Sequence, residues 1–220
     1  MLHGVFVTGT DTGIGKTVVA AAIMTRYREV PSLRYWKPVQ TGIEEDDDTR
    51  TVAELCECGP ARILDKGVRL PRPLSPHLAA RLSGVEIDLD ALIETVAAEE
   101  RSDRWVVEGA GGFLVPINGD ALMSDLIAQL GLPVVVVARS SLGTINHTLL
   151  TLEALRLRAI PVVGVVMTGE KNTENRLAIE HYGHVSVLGE LPRLEPLTPG
   201  TLRWAAAAID PQGALGACFL

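Results

Sequence analysis

Residues 9–17 read Gly-Thr-Asp-Thr-Gly-Ile-Gly-Lys-Thr, directly after the apolar run 2–7. A strand, a glycine-rich turn and a helix in that order make a cradle for phosphate. Glycines let backbone N–H groups approach and point at anionic oxygens, and the helix behind them adds the positive end of its dipole. Asp11, Thr12, Gly13, Ile14 and Gly15 form the loop of this cradle. Lys16 can reach the terminal phosphates, and the Thr17 hydroxyl can ligate Mg2+. The stretch predicts a site for a nucleoside triphosphate, ATP being the ordinary case.

The spacing departs from the common Walker A form, which has four residues between its glycines. Here five residues separate Gly9 from Gly15, and Thr10 takes the usual first-glycine position. A bare glycine turn is the competing reading. Gly-x-Gly-Lys-Thr between a strand and a helix favours the phosphate cradle.

Outward from this loop the pattern repeats. Apolar runs at 2–8, 33–39, 105–108, 133–138, 161–167 and 186–188 read as strands. Helical patterning fills 16–29, 49–56, 89–101, 124–130, 144–158, 174–182 and 202–209, and the proline-rich segment 67–76 reads as a loop. Unbroken valine runs alternating with helices predict a mostly parallel sheet flanked by helices. The fold class is therefore α/β, P-loop NTPase-like, with one domain over residues 1–220.

Composition narrows the function. A net charge of −7 with no basic cluster argues against nucleic acid as a partner. No apolar run is long enough to span a membrane, and the chain starts directly in a strand, so no secretory signal is expected. The three cysteines, Cys56, Cys58 and Cys218, are expected as reduced thiols of a cytoplasmic protein; Cys-x-Cys alone points only weakly to metal. The five histidines lack zinc-ligand spacing, and no Gly-x-Ser-x-Gly motif is present.

In parallel sheets ligands sit beyond the carboxyl ends of the strands. Lys37 and Thr41 follow the second predicted strand in Lys-Pro-Val-Gln-Thr-Gly. A lone lysine there reads by itself as a surface residue, and the functional reading needs the rest of the motif. Asp46, Asp47 and Asp48 then open a helix, where an aspartate can cap the first turn or meet a metal. Glu108 ends the third strand and precedes Gly109-Ala110-Gly111-Gly112. A carboxylate leaving an apolar strand is costly unless paired or metal-bound, so Thr17, Asp48 and Glu108 are candidate Mg2+ ligands. The glycines behind it, Gly111 among them, let backbone approach a substrate. Gly143 and Thr144 start a helix that can bind a carboxylate or be ordinarily capped; His147 on it reads as a general base or as a structural histidine.

Together and in this order, these motifs resemble dethiobiotin synthetase. The resemblance rests on residues 9–17, on Lys37–Gly42, on Asp48, on Ser75-Pro-His77, on Val107–Gly112, on Leu142-Gly-Thr-Ile-Asn-His147 and on Gly189-Glu-Leu-Pro192. It implies a ligase of biotin synthesis that takes 7,8-diaminononanoate, CO2 (or bicarbonate) and ATP with Mg2+ and gives dethiobiotin, ADP and phosphate. Carbamate formation, attack on the γ-phosphate and ring closure by the second amine are the implied steps. Lys16 and Lys37 are then the catalytic cations, with Thr12 and Thr41 donating to phosphate or carbamate oxygens. The resemblance further implies a homodimer in which Gly143, Thr144 and Asn146 of one subunit hold the substrate carboxylate at the other's site. Tyr182 could add a bond to that carboxylate, although packing at a helix end is the preferred reading.

One position departs from the family pattern. Thr168 stands where members commonly carry an Asn that reads the adenine edge, and Asn172 belongs to the following loop. A hydroxyl cannot make the paired donor–acceptor contact of an amide, so this position leaves the choice between ATP and other nucleoside triphosphates open. Pro192 and Leu194 match the far side of the base pocket. The rival from another class is a ParA/MinD-like ATPase switch. Such proteins carry a signature lysine where this chain has Asp11, and residues 205–220 hold no Lys or Arg for a membrane-targeting helix. The cobyrinic acid synthases, a nearer rival, carry a glutaminase domain that this length leaves no room for.

Overall fold

Strand β1 (His3–Gly9) lies near the middle of a seven-stranded parallel sheet, and the computed structural model describes residues 2–220 around it. The other strands of this sheet are β2 (Leu33–Trp36), β4 (Ile63–Leu64), β6 (Arg104–Glu108), β7 (Val134–Arg139), β8 (Val162–Thr168) and β9 (Val187–Leu191). Their order across the sheet is β4-β2-β6-β1-β7-β8-β9. Strands β3 (Val39–Thr41) and β5 (Val68–Leu70) pair apart from it. The helices are α1 (Lys16–Arg26), α2 (Asp48–Leu55), α3 (Pro76–Ser83), α4 (Leu89–Ala97), α5 (Met123–Leu130), α6 (Thr144–Leu157), α7 (Thr173–Gly183) and α8 (Pro199–Ala206).

Side chains alternate across a strand, and β1 shows it directly. Phe6 joins one core with Trp36, Val107, Val134 and α5. Val5 and Val7 join the other, with Val19 to Met24 of α1 and Leu202 of α8. Three successive alanines, Ala20 to Ala22, are fully buried there and let α1 lie close to the sheet. Both faces are thus covered, which is why the strands read as continuous apolar runs.

The expected long strand over 33–39 is two strands. Pro38 has no N–H to give a ladder and breaks the pairing after Trp36. The segment expected as a loop, 67–76, contains β5, and β4 and α3 flank it. Helix ends differ from expectation by a few residues: α1 stops at Arg26 and α4 at Ala97, whereas α8 begins earlier, at Pro199. The cysteine expectation is corrected as well. Cys56 and Cys58 are joined in a disulfide, because Glu57 turns to φ 53 and folds the chain back at the end of α2; Cys218 is free. Among the described residues no helix is long and apolar enough to cross a membrane.

Candidate active site

The phosphate loop leaves β1 and enters α1 through Gly15, whose φ of 88 is a conformation that glycine adopts without strain. No side chain caps α1, and its first turn holds no acidic residue. Its first N–H groups therefore have no capping side chain, and an anion can take that place. Lys16 folds back, its ammonium 2.9 Å from the carbonyl oxygen of Asp11. Burial and the nearby Lys37 hold its pKa down at about 8, against the opposing pull of Glu108 and Asp48.

Three elements bring the candidate metal ligands to this point. The Thr17 hydroxyl in the first turn of α1 is 2.7 Å from Oδ1 of Asp48 and 2.9 Å from Oε1 of Glu108. The Lys37 ammonium, at the end of β2, is 2.6 Å from Asp48 and 2.7 Å from Glu108. Burial works against the charge on Lys37, but the two carboxylates outweigh it and raise its pKa. Burial likewise works against the charge on Asp48, yet Lys37 and Thr17 hold its carboxyl below the usual range. The two aspartates at the start of α2 have different partners. Asp47 caps α2 by accepting the Arg50 N–H, and Asp48 turns to Thr17 and Lys37.

Two carboxylates and a hydroxyl that converge in this way are hard oxygen donors of the kind Mg2+ takes, with phosphate oxygens and water left to complete its shell. The donor set fits a cation bridged to a bound triphosphate. The cavity in front of it, about 390 Å3, is lined by Thr12, Lys16, Thr17, Lys37, Thr41 and Asp48, and also by Glu108 and Gly111. A second cavity, about 610 Å3, opens on the other side of the loop between Gly13, Gly15, Thr168, Pro192, Leu194 and Arg139. Thr12, Gly13, Gly15, Val18 and Leu197 border both. A base in the larger space can therefore pass its phosphates over the loop to the lysines.

Three groups here escaped the sequence reading. Tyr35, fully buried on β2, donates its hydroxyl to Oε2 of Glu108 at 2.8 Å. Burial and that carboxylate push its phenol pKa well up. Arg139, at the end of β7, pairs with Asp11 of the phosphate loop. Leu197 stands between the two cavities. Tyr35 precedes Lys37 by two residues, so the strand period was the one signal that could have placed both on one side.

The remaining predicted residues lie apart. Gly143 starts α6 at φ 92 without a side-chain cap, and Gly143 and Asn146 are exposed on the surface, lining neither cavity. Thr144 is buried, its hydroxyl 3.4 Å from that of Thr148. His147 borders a smaller hollow of about 280 Å3 with Thr10, Gly112 and Phe113. Tyr182 is 66% exposed, in edge contact with His181, and so is not the packed residue expected.

Comparison with known proteins decides the family. A family model described as an AAA domain matches residues 3–201. The chain is 54% identical over 202 residues to the ATP-dependent dethiobiotin synthetase BioD of Paramagnetospirillum magneticum, covering 91% of this chain and 93% of that one. The chain belongs to the dethiobiotin synthetase family. The protein of the same name from Agrobacterium fabrum is 52% identical, with 91% of each chain covered. Among solved structures, a ParA family ATPase from Chlorobium tepidum superposes with a TM-score of 0.55 over 99% of this chain and 96% of that one, at 12% identity. That likeness shows the shared fold alone. The Thr168 hydroxyl donates to the Ile14 carbonyl at 2.8 Å, so its one proton is spent on the phosphate loop.

Proposed function

We propose that this chain makes dethiobiotin from 7,8-diaminononanoate, CO2 and ATP, closing the cyclic urea and releasing ADP and phosphate. The observation that carries the reading is the juxtaposition of Lys16 and Lys37 with Thr17, Asp48 and Glu108 in one cavity at the phosphate loop, in a chain of this family. A carbamate meeting ATP brings two anions together, so the site must concentrate positive charge where more negative charge develops. One amine of the substrate captures CO2 and loses a proton to give the carbamate. A carbamate oxygen attacks the γ-phosphorus, and the bond to the β–γ bridging oxygen breaks, leaving ADP. The second amine attacks the carbonyl carbon of the mixed anhydride, phosphate leaves with the bonding pair, and the ring is closed.

No side chain has to bond covalently to any of these species. Lys16 follows the transferring phosphoryl group, and Lys37 faces the carbamate and γ-phosphate oxygens. Thr12 and Thr41 donate to the same oxygens, and the backbone at Gly111 lets the diamine approach. The loop N–H groups from Gly13 to Thr17 hold the β-phosphate. Thr17, Asp48 and Glu108 would hold Mg2+, which when bound neutralises charge on the β- and γ-phosphates. The rest of the rate comes from positioning the amine, the carbamate and the phosphate in line.

The homodimer belongs to the same reading. Leu142, in the turn before α6, and Leu157, its last residue, are 99% and 83% exposed, and large exposed apolar side chains suit an interface. Packing α6 against a second copy would carry Gly143, Thr144 and Asn146 toward the partner's diamine. A single domain over residues 1–220, working in the cytoplasm, completes the reading.

The test is incorporation of label from 14C-bicarbonate into dethiobiotin, with ATP, CTP and GTP in parallel. Label that requires both the diamine and a nucleotide supports the assignment. Folded protein that hydrolyses ATP but fixes no label would move it to the nucleotide-switch class.

A further inference from the structure

Glu108 has two oxygens with different partners. Oε1 receives the Lys37 ammonium at 2.7 Å and lies 2.9 Å from the Thr17 hydroxyl, whose single proton it shares with Asp48. Among the described residues Oε2 receives only the Tyr35 hydroxyl, at 2.8 Å. Both residues are fully buried. The register explains the reach: Tyr35 stands beside Val106, two residues below Glu108 on the neighbouring strand, so its ring extends along the sheet toward the carboxylate. Asp48 differs, for its side chain is 23% exposed, sits on a helix end, and is held only through Thr17 and Lys37.

From this division we propose that Tyr35 is a positioning residue, which occupies Oε2 and so presents Glu108 to the cation through Oε1 alone. The inference rests on the reading of Thr17, Asp48 and Glu108 as a metal site. A carboxylate free to rotate can grip a cation with both oxygens or turn away. Tied at one oxygen it is a fixed monodentate ligand, aimed at the same point as the Thr17 hydroxyl. Groups that orient a ligand from behind commonly change metal affinity by about 10- to 100-fold when removed. The tyrosine serves because its donor is rigid and its ring packs against the core between β2 and α1.

The experiment is an electron paramagnetic resonance titration with Mn2+ in the presence of ADP, on the wild type, Y35F, E108Q and the double variant. Tyr35→Phe keeps the ring in place, and near-ultraviolet circular dichroism checks the fold before each titration. Y35F is expected to raise the Mn2+ dissociation constant about tenfold and to leave metal-free ADP affinity unchanged. The double variant is expected to bind Mn2+ no more weakly than E108Q, because the tyrosine acts through that carboxylate. A Y35F protein that melts earlier yet binds Mn2+ as the wild type does would make the hydroxyl merely structural and overturn the proposal. Additive losses in the double variant would overturn it too. If E108Q binds Mn2+ like the wild type, the metal reading itself fails, and the role of Tyr35 falls with it.

Discussion

The ammonium of Lys37 lies 2.7 Å from Oε1 of Glu108, with both side chains almost wholly out of water. Among the described residues Glu108 has no other cation within bonding distance, whereas Lys37 also meets Asp48 at 2.6 Å. Removing one partner of such a pair strands the other, at a cost of about 3 kcal/mol. Lys37→Met is therefore expected to lower stability by about that amount, and the double variant K37M/E108Q to recover most of the loss. Urea denaturation of the two single variants and the double measures it. Equal losses in K37M and the double would mean that Lys37 does not balance Glu108.

Lys16 has no carboxylate within bonding distance, and its ammonium contacts the Asp11 carbonyl. Its loss should spare the fold and strike the chemistry. Lys16→Ala is expected to reduce turnover by at least about 100-fold, the scale seen when one charge-stabilising donor is removed. The melting temperature should hold steady. Near-normal turnover would remove Lys16 from phosphoryl transfer.

The depressed pKa of Lys16, about 8 without nucleotide, gives a signed expectation. Above that pH the free protein carries a neutral lysine, and a triphosphate favours the charged form. Binding must then draw a proton from solution, and affinity should fall as pH rises through 8 to 9. Calorimetry at pH 8.5 in buffers of different ionisation enthalpy reads the uptake directly. Zero uptake there would place the Lys16 pKa elsewhere.

Thr168 spends its proton on Ile14, so its contribution should be the same for every base. Thr168→Val is expected to raise the KM for ATP, CTP and GTP alike, by about two- to tenfold, the worth of one hydrogen bond. Parallel steady-state assays check this. A shift in the ratio among the three nucleotides would show that the hydroxyl reads the base.

The exposed leucines before and at the end of α6, Leu142 and Leu157, carry the dimer expectation. Leu142→Asp is expected to yield monomers in sedimentation, with a raised KM for the diamine and an unchanged KM for ATP. A variant that stays dimeric would place the interface on another face.

The valine runs of β6, β7 and β8 were legible because strands buried on both faces are apolar in their interior, with polar residues only at their ends. Pro38 marks the break between β2 and β3, but the residues on either side of it read as one run, and β4 and β5, of two and three residues, are too short to show a period. At the site, Lys16, Thr17, Lys37, Asp48 and Glu108 were legible because each follows a strand or opens a helix. Tyr35 was not, because an aromatic inside a strand reads as core, and only the register with β6 brings its hydroxyl to Glu108. The pairing of Arg139 with Asp11 joins residues too distant in sequence for any local pattern to connect. Cys56 and Cys58 were misread because spacing alone does not reveal the turn at Glu57.

The sheet order has a consequence for synthesis. β1 is made first, yet its two neighbours are β6 and β7, and its register begins with His3 opposite Arg104. A nascent chain that has finished its phosphate loop still lacks both strands that flank it. Such long-range pairing is slow and leaves apolar edges open while it waits. The nucleotide can have no firm seat until more than half the chain has left the ribosome, and chaperones have that interval in which to act.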